Sequence, residues 1–426
     1  MSVNRKTGPS IKVPDKITLP VIEEYTLQNN IPLFTINSDE HEIIKMDFIF
    51  KAGLWYQKQP LVSSFTSMML KEGTKNLSSF EIAEKLDFYG ASIACVSEKD
   101  NANVSLYTIK KHFSEIIKIL DEILYKPTFP ENELQIIKNL KKSEYQIDSE
   151  KVDTISSKEF YKNLFGSNHP YSNYYEITDF DKITQKQLFN HFSRHYIANT
   201  CKIIVSGKLD DNFFMLTEKY FGKQKWYSDT PDRKSGNHEI SSTDERYIHI
   251  EKQGALQSSI RIGNLTINKK HPDYPLLVIL NTILGGYFGS RLMSNIREDK
   301  GYTYGINSIV YSLINTGVFV IITEVAKKHV KNTINEIFSE IKKLKTELVP
   351  EDELNSVKSY LIGEFIKFFD SPFASADAFK SIIDYNLDLN YYENLFYKIR
   401  TVESKEILYI ANKYLDESKM ITVVAG

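Results

Sequence analysis

NTILGGYFGSRLMSNIREDKGYTYGINSI, residues 281–309, carries the marks of a helix, a turn, a second short helix and a strand. Leu276, Leu277, Leu280, Ile283 and Leu284 recur at helical spacing up to the pair Gly285-Gly286, where the chain is expected to turn sharply. SRLMSNIRED then reads as a short helix with Leu292 and Ile296 on one face, Gly301 as its stop, and an alternating strand from near Tyr304. The junction sets a guanidinium, Arg297, and a phenol, Tyr304, on either side of one tight helix-to-strand connection. Both are directional hydrogen-bond donors. On residue types alone, a surface arginine and a tyrosine at the core edge is the simpler reading.

Outward from this stretch the chain repeats itself. His112…Phe129-Pro130-Glu131-Asn132-Glu133-Leu134 parallels His329…Val349-Pro350-Glu351-Asp352-Glu353-Leu354, and Leu134 and Leu354 are 220 residues apart. In both copies a strand leads into an amphipathic helix, and x-P-E-x-E-L opens the next one. So long a repeat is a duplicated domain. Runs of strands and helices without strict βαβ alternation predict an α+β fold: two homologous domains, each a largely antiparallel sheet with helices packed on one face. Residues 1–20, with Pro9, Pro14 and Pro20, read as an N-terminal arm. The first domain spans 21–222 and the second 246–426. Between them, 223–245 is polar, without periodicity, and reads as the linker. Within the first domain HEIIKMDFIFKAG alternates apolar and polar residues as a strand does, LVSSFTSMMLKEGT is helical, and Ser78 with Glu81 forms a capping box.

The opening stretch resembles the C-terminal-domain signature of the pitrilysin/insulinase family of zinc peptidases, which includes the mitochondrial processing peptidases. The matching residues are Gly285-Gly286, Ser290-Arg291-Leu292, then Arg297-Glu298 with Gly301 and Tyr304. The resemblance implies two α+β domains over residues 20–426. It also implies that Arg297 and Tyr304 reach toward a substrate held at a partner domain's zinc, where fixed donors would stabilise a polarising carbonyl.

Active members of that family carry H-x-x-E-H on a helix ending in Gly-Thr, two histidines holding zinc and the glutamate acting as base. Counted back from Gly73-Thr74, the motif falls on Ser64-Phe65-Thr66-Ser67-Met68. Ser64 and Met68 stand where the histidines would, Ser67 where the base would, and Glu144 falls at the third ligand's place. One carboxylate is no zinc site, and Glu144 reads as a solvated helix residue. His191-Phe192-Ser193-Arg194-His195 has metal-ligand spacing but no acidic residue inside, and reads as structural histidines.

Composition excludes other classes. Lys+Arg (53) and Asp+Glu (55) nearly cancel, which leaves no footprint for nucleic acid or an anionic membrane. No apolar run approaches membrane-spanning length, and MSVNRKTGPSIKVPDKITLP lacks a signal-peptide core. Two cysteines, Cys95 and Cys201, read as buried thiols in a reducing compartment, the cytoplasm. The expectation is a non-catalytic subunit of a heterodimeric zinc peptidase that binds no cofactor itself. A homologous partner subunit would carry the zinc, and an extended peptide would be the substrate, added as a strand to a sheet edge. The alternative is a non-enzymatic peptide-binding or scaffold protein, like the family's respiratory-complex core subunits.

Overall fold

The computed structural model describes residues 16–223, 226 and 238–426. Eleven strands form two sheets among the described residues. In the first half these are β1 (Glu23–Thr26), β2 (Pro32–Asn37), β3 (Ile43–Phe50), β4 (Ser92–Ser97), β5 (Ala102–Ile109) and β6 (Lys202–Gly207). The second half supplies β7 (Tyr247–Ile250), β8 (Gln257–Thr266), β9 (Ile306–Ser312), β10 (Gly317–Ala326) and β11 (Ile421–Ala425). The first sheet runs β1-β2-β6-β3-β5-β4 and the second β7-β11-β8-β10-β9. Without the added edge strand β1, the two orders correspond position for position. In each, the last strand of its half joins the first in parallel (β2 with β6, β7 with β11), and the remaining pairs are antiparallel. The duplication read from x-P-E-x-E-L is therefore a duplication of topology.

Helices follow the same repeat. The first half carries α1 (Val62–Met69), α2 (Ser79–Phe88), α3 (Phe113–Tyr125), α4 (Glu131–Asp148), α5 (Val152–Phe165), α6 (Gln185–His195) and α7 (Asp211–Thr217). The second carries α8 (Tyr274–Asn281), α9 (Val330–Thr346), α10 (Glu351–Ile366), α11 (Pro372–Ile383), α12 (Asn390–Thr401) and α13 (Ser404–Tyr414). Pro130 and Pro350 stand at the N-caps of α4 and α10, where a missing N–H costs nothing. Ser78 accepts from the Glu81 amide and Glu81 accepts from the Ser78 amide, completing the box at the start of α2.

Each half packs its own helices on one face of its sheet and lends one helix to the opposite face of the other. Phe160, Leu164 and Phe165 of α5 lie with Val318, Val320, Ile421 and Val423 of the second sheet. Reciprocally, Phe379, Ile382 and Ile383 of α11 share a core with Ile36, Ile49 and Ile204 of the first. This exchange alters the reading of β3. Lys45 and Asp47 alternate with its apolar residues, yet Lys45 is 2% and Asp47 0% exposed, because α11 covers that face. The charges survive burial by pairing: Lys45 Nζ lies 2.5 Å from Asp377 Oδ1 and 3.5 Å from Asp47, and Lys380 lies 3.5 Å from Asp47. The second sheet has its counterpart in Arg261, 2.7 Å from Asp153 of α5 and donating at 3.1 Å to Ser156.

The helical run ends at the Gly pair. The helix begun as α8 continues through a wide π-helical turn, Thr282–Gly286, before Tyr287 becomes extended. Gly285 is needed there for proximity, since a Cβ would meet the Ser308 amide of β9 at 2.7 Å. A second wide turn, Met293–Asp299, buries Ile296, and Gly301, at φ +64°, ends it as expected. The strand then starts at Ile306 rather than Tyr304. The expected arm and linker lie mostly outside the described residues. From His238 onward the chain is tied to α5: the Ser241 amide donates to the Phe165 carbonyl and the Thr243 amide to that of Asn163, both at 2.9 Å.

Because Phe160 anchors the exchanged helix, Phe160→Ala should lower stability by about 3–5 kcal/mol, read as a shift in the urea unfolding midpoint. A shift under about 1 kcal/mol would mean that α5 is not needed to hold the second sheet.

Candidate functional site

Two cavities sit on either side of α5. The first, about 500 Å³, lies between α1, α4 and α5 and contains the degenerate motif positions. Helix α1 is fixed by Phe65 and Met69, both buried, which leaves Ser64 and Met68 on the cavity side. Glu144 projects from α4 into the same cavity, so the structure brings together three of the four positions named from the motif frame. Ser67 is the exception. It is 1% exposed and its hydroxyl lies 2.8 Å from the Tyr196 phenol, away from the cavity.

The donor set does not fit zinc. A hydroxyl and a thioether are poor zinc ligands beside imidazole, thiolate or carboxylate. The one carboxylate among the motif positions, Glu144, is half exposed and ion-paired with Lys141 at 2.8 Å. Among the described residues there is no group of three or more His, Cys, Asp or Glu side chains placed to hold a metal ion. His191 behaves as a structural residue: its Nε2 lies 3.0 Å from the Ala52 carbonyl, and burial, aided by His195, pushes its pKa down to about 3.

Sequence reasoning missed Lys99, in the turn between β4 and β5, which also reaches this cavity. Its ammonium donates to the Tyr171 carbonyl at 2.8 Å and lies over the Tyr161 ring at 5.5 Å. Burial lowers its pKa to about 8 although Asp100 opposes the shift. No local pattern marks Lys99, because a hairpin lysine is ordinarily solvated.

The second cleft, about 570 Å³, is walled by the Gly285-Gly286 turn, Phe288 and Tyr304, with Asp153 and Glu324 opposite. Burial, then the Asp153 charge, raises the Glu324 pKa. Arg297 Nε donates to the Tyr304 carbonyl at 2.9 Å, and its guanidinium carbon lies 4.7 Å from the centre of the Phe288 ring. Tyr304 itself is 92% exposed, its ring held out from the surface. One guanidinium edge is thus spent on fixing the backbone that presents the tyrosine. The phenol stands exposed at the cleft's rim, and the guanidinium is partly covered by Phe288.

Comparisons with known proteins follow the two halves. The model of the insulinase family (peptidase family M16) matches residues 55–173, and that of the peptidase M16 inactive domain matches residues 182–361. Over 361 residues, 82% of this chain and 85% of the relative, it is 23% identical to an uncharacterized zinc protease, YmxG, of Bacillus subtilis. Over 394 residues, 87% and 86% of the two chains, it is 24% identical to a non-peptidase homolog, YmxG, of Helicobacter pylori. The crystal structure of a peptidase M16 inactive domain from Pseudomonas fluorescens superposes with a TM-score of 0.85 at 24% identity, covering 95% of this chain and 98% of that one.

Two measurements test this geometry. Restoring the motif's glutamate, Ser67→Glu, should place a carboxylate in the core against Tyr196 and cost about 3 kcal/mol or more, read from urea unfolding. Tolerance of the change would mean the position can turn toward the cavity. For His191, a folded pKa of about 3 lies below the unfolded value near 6.5, so its contribution is complete above pH 6.5 and is lost as pH falls toward 3. Stability should drop by about 1.5 kcal/mol from this residue between pH 6.5 and 5, and His191→Gln should flatten that part of the profile.

Proposed function

Because the chain belongs to the M16 (insulinase) family of peptidases, we propose that it acts as a non-catalytic subunit beside a homologous, zinc-bearing partner. The observation that carries this reading is an asymmetry. Where the family's metal ligands and base would stand are Ser64, Met68 and a buried Ser67. The Arg297–Tyr304 junction, by contrast, is intact and braced by its own hydrogen bond. A chain with no tie to catalysis would have no reason to keep an exposed tyrosine presented by a fixed arginine. In this reading the partner supplies metal and base, and this chain supplies donors at the rim of the shared chamber. An extended peptide lies between the two. Donors fixed before the substrate arrives stabilise a developing oxyanion without reorganising. Among the described residues no helix is long and apolar enough to cross a membrane. Two free thiols, Cys95 and Cys201, suit a reducing compartment, so we place the pair in the cytoplasm. A scaffold or peptide-binding role without turnover is the competing reading, and the relative described as a non-peptidase homolog favours it.

The test is reconstitution. Alone, the protein should contain no stoichiometric zinc by elemental analysis and cleave no peptide. With an H-x-x-E-H-bearing partner co-purified from the native lysate, chelator-sensitive peptidase activity should appear. Arg297→Ala or Tyr304→Phe should then lower kcat by roughly tenfold or more with the dimer intact. Unchanged kinetics in both variants would remove the pair from catalysis. A partner without the motif would move the weight to the scaffold reading.

A further inference from the structure

The cavity of α1, α4 and α5 is neither collapsed nor plugged by a side chain where the family's zinc would lie. Its floor is aromatic and apolar: Phe65 and Phe180, 6.1 Å apart, with Met68, and Tyr161 on the α5 side. Burying such a surface behind water is unfavourable unless something apolar enters it.

Its charges are not neutral in effect. Five charged residues line it: Lys99, Lys141, Glu144, Asp148 and Lys158. Glu144 is committed to Lys141 at 2.8 Å, and Asp148 to Lys151, outside the cavity, at 2.7 Å. Lys158 bonds the Tyr145 phenol at 2.9 Å and Glu176 at 3.2 Å. Lys99 is left. Among the described residues it forms no salt bridge, its hydrogen bond is to a neutral carbonyl, and Asp100 acts on it only from beyond ion-pair distance. A half-buried ammonium with donors to spare attracts an anion more strongly than one in water. Ser64 and Ser157, which also line the cavity, can add neutral donors.

We propose that this cavity binds the C-terminal end of a peptide, its α-carboxylate on Lys99 and its last, apolar side chain on the ring-lined floor. One unpaired cation with neighbouring hydroxyls matches the single charge of a carboxylate. A phosphate, with about two negative charges, ordinarily calls for an arginine fork or several backbone amides, and the lining supplies no arginine. The volume accommodates a terminal residue and part of the one before it. The site belongs to this chain alone and does not depend on a partner subunit.

Fluorescein-labelled peptides ending in Gly-Ser-Gly-Phe, as free acid and as amide, would be titrated with the isolated full-length protein by anisotropy. The free acid should bind about ten- to hundredfold more tightly than the amide, the range expected for one charge-assisted contact. Lys99→Met should erase that difference. Ser64→Phe, which puts a ring over the apolar floor and leaves Lys99 in place, should abolish binding of both. Equal binding of acid and amide, no binding of either, or an acid preference that persists in Lys99→Met would each overturn the proposal. So would unaltered binding in a folded Ser64→Phe protein. N-acetylphenylalanine, added as competitor, should bind more weakly than the peptide; equal affinity would overturn the peptide assignment. Since the readout is binding to the chain by itself, failure here is separate from failure of the partner-subunit reading, which is judged on activity of the complex.

Discussion

The exchange of α5 and α11 between the two sheets is the constraint on which the rest of the molecule depends. A sheet has two faces, and each half of this chain has helices of its own for one of them. The second face is closed only by the other half, through Phe160, Leu164 and Phe165 in one direction and Phe379, Ile382 and Ile383 in the other. The two halves are therefore not independent bodies joined by a tether. Each face carries a charged anchor: Asp47 opposite Ile204 on the first sheet, Arg261 opposite Val423 on the second. Charges buried there stabilise little by themselves, because desolvation offsets most of the attraction. What they supply is register. A slipped helix would leave Asp47 or Arg261 in the core without a partner, an error costing several kcal/mol.

The same helix that locks the halves separates the two cavities. Asp153 of α5 faces the cleft of Gly285-Gly286 and Tyr304, while Lys158 and Tyr161 line the cavity of Ser64 and Met68. Displacing α5 would disturb both at once. The wide turns before and after Tyr287 belong to this arrangement. Irregular backbone is tolerated at Thr282–Gly286 because Gly285 lets the chain lie directly against the Ser308 amide, and the result is a turn that forms the cleft wall.

Much of this was legible in residues alone, for physical reasons that differ from place to place. The duplication showed because Pro130 and Pro350 start helices, and a proline tolerated only at a first turn is a local signal. The capping box at Ser78 and the stop at Gly301 are local for the same reason. Arg297 and Tyr304 were found by resemblance, while the bond that makes one present the other needed coordinates. The alternation of Ile44, Met46 and Phe48 with Lys45 and Asp47 marks β3 as a strand, but that α11 covers its charged face was not legible, because the cover comes from the other half. Ser67 shares a helical face with Ser64 and Met68 by spacing, yet α1 is rotated so that Tyr196 takes it. Lys99 gave no signal, since its setting is made by Tyr161 and Tyr171, more than sixty positions away.

A cavity can outlast the metal site it resembles because its walls are not held by the ligand positions. Helix α1 is pinned by Phe65 and Met69 on its core side. Helix α4 is pinned from beneath by Lys138, whose stem is buried and whose ammonium donates to the Ile183 carbonyl at 3.1 Å. Helix α5 is held by the second sheet. None of these anchors is itself one of the motif positions Ser64, Met68 or Glu144, so a serine and a methionine in place of two histidines remove chemistry without removing the space. Filling the space would require larger residues on three helices that are each fixed from elsewhere, since a single one would need to cross a gap of about 500 Å³. An open, ring-floored pocket with one uncommitted ammonium is thus the state in which the loss of ligands alone would leave such a site.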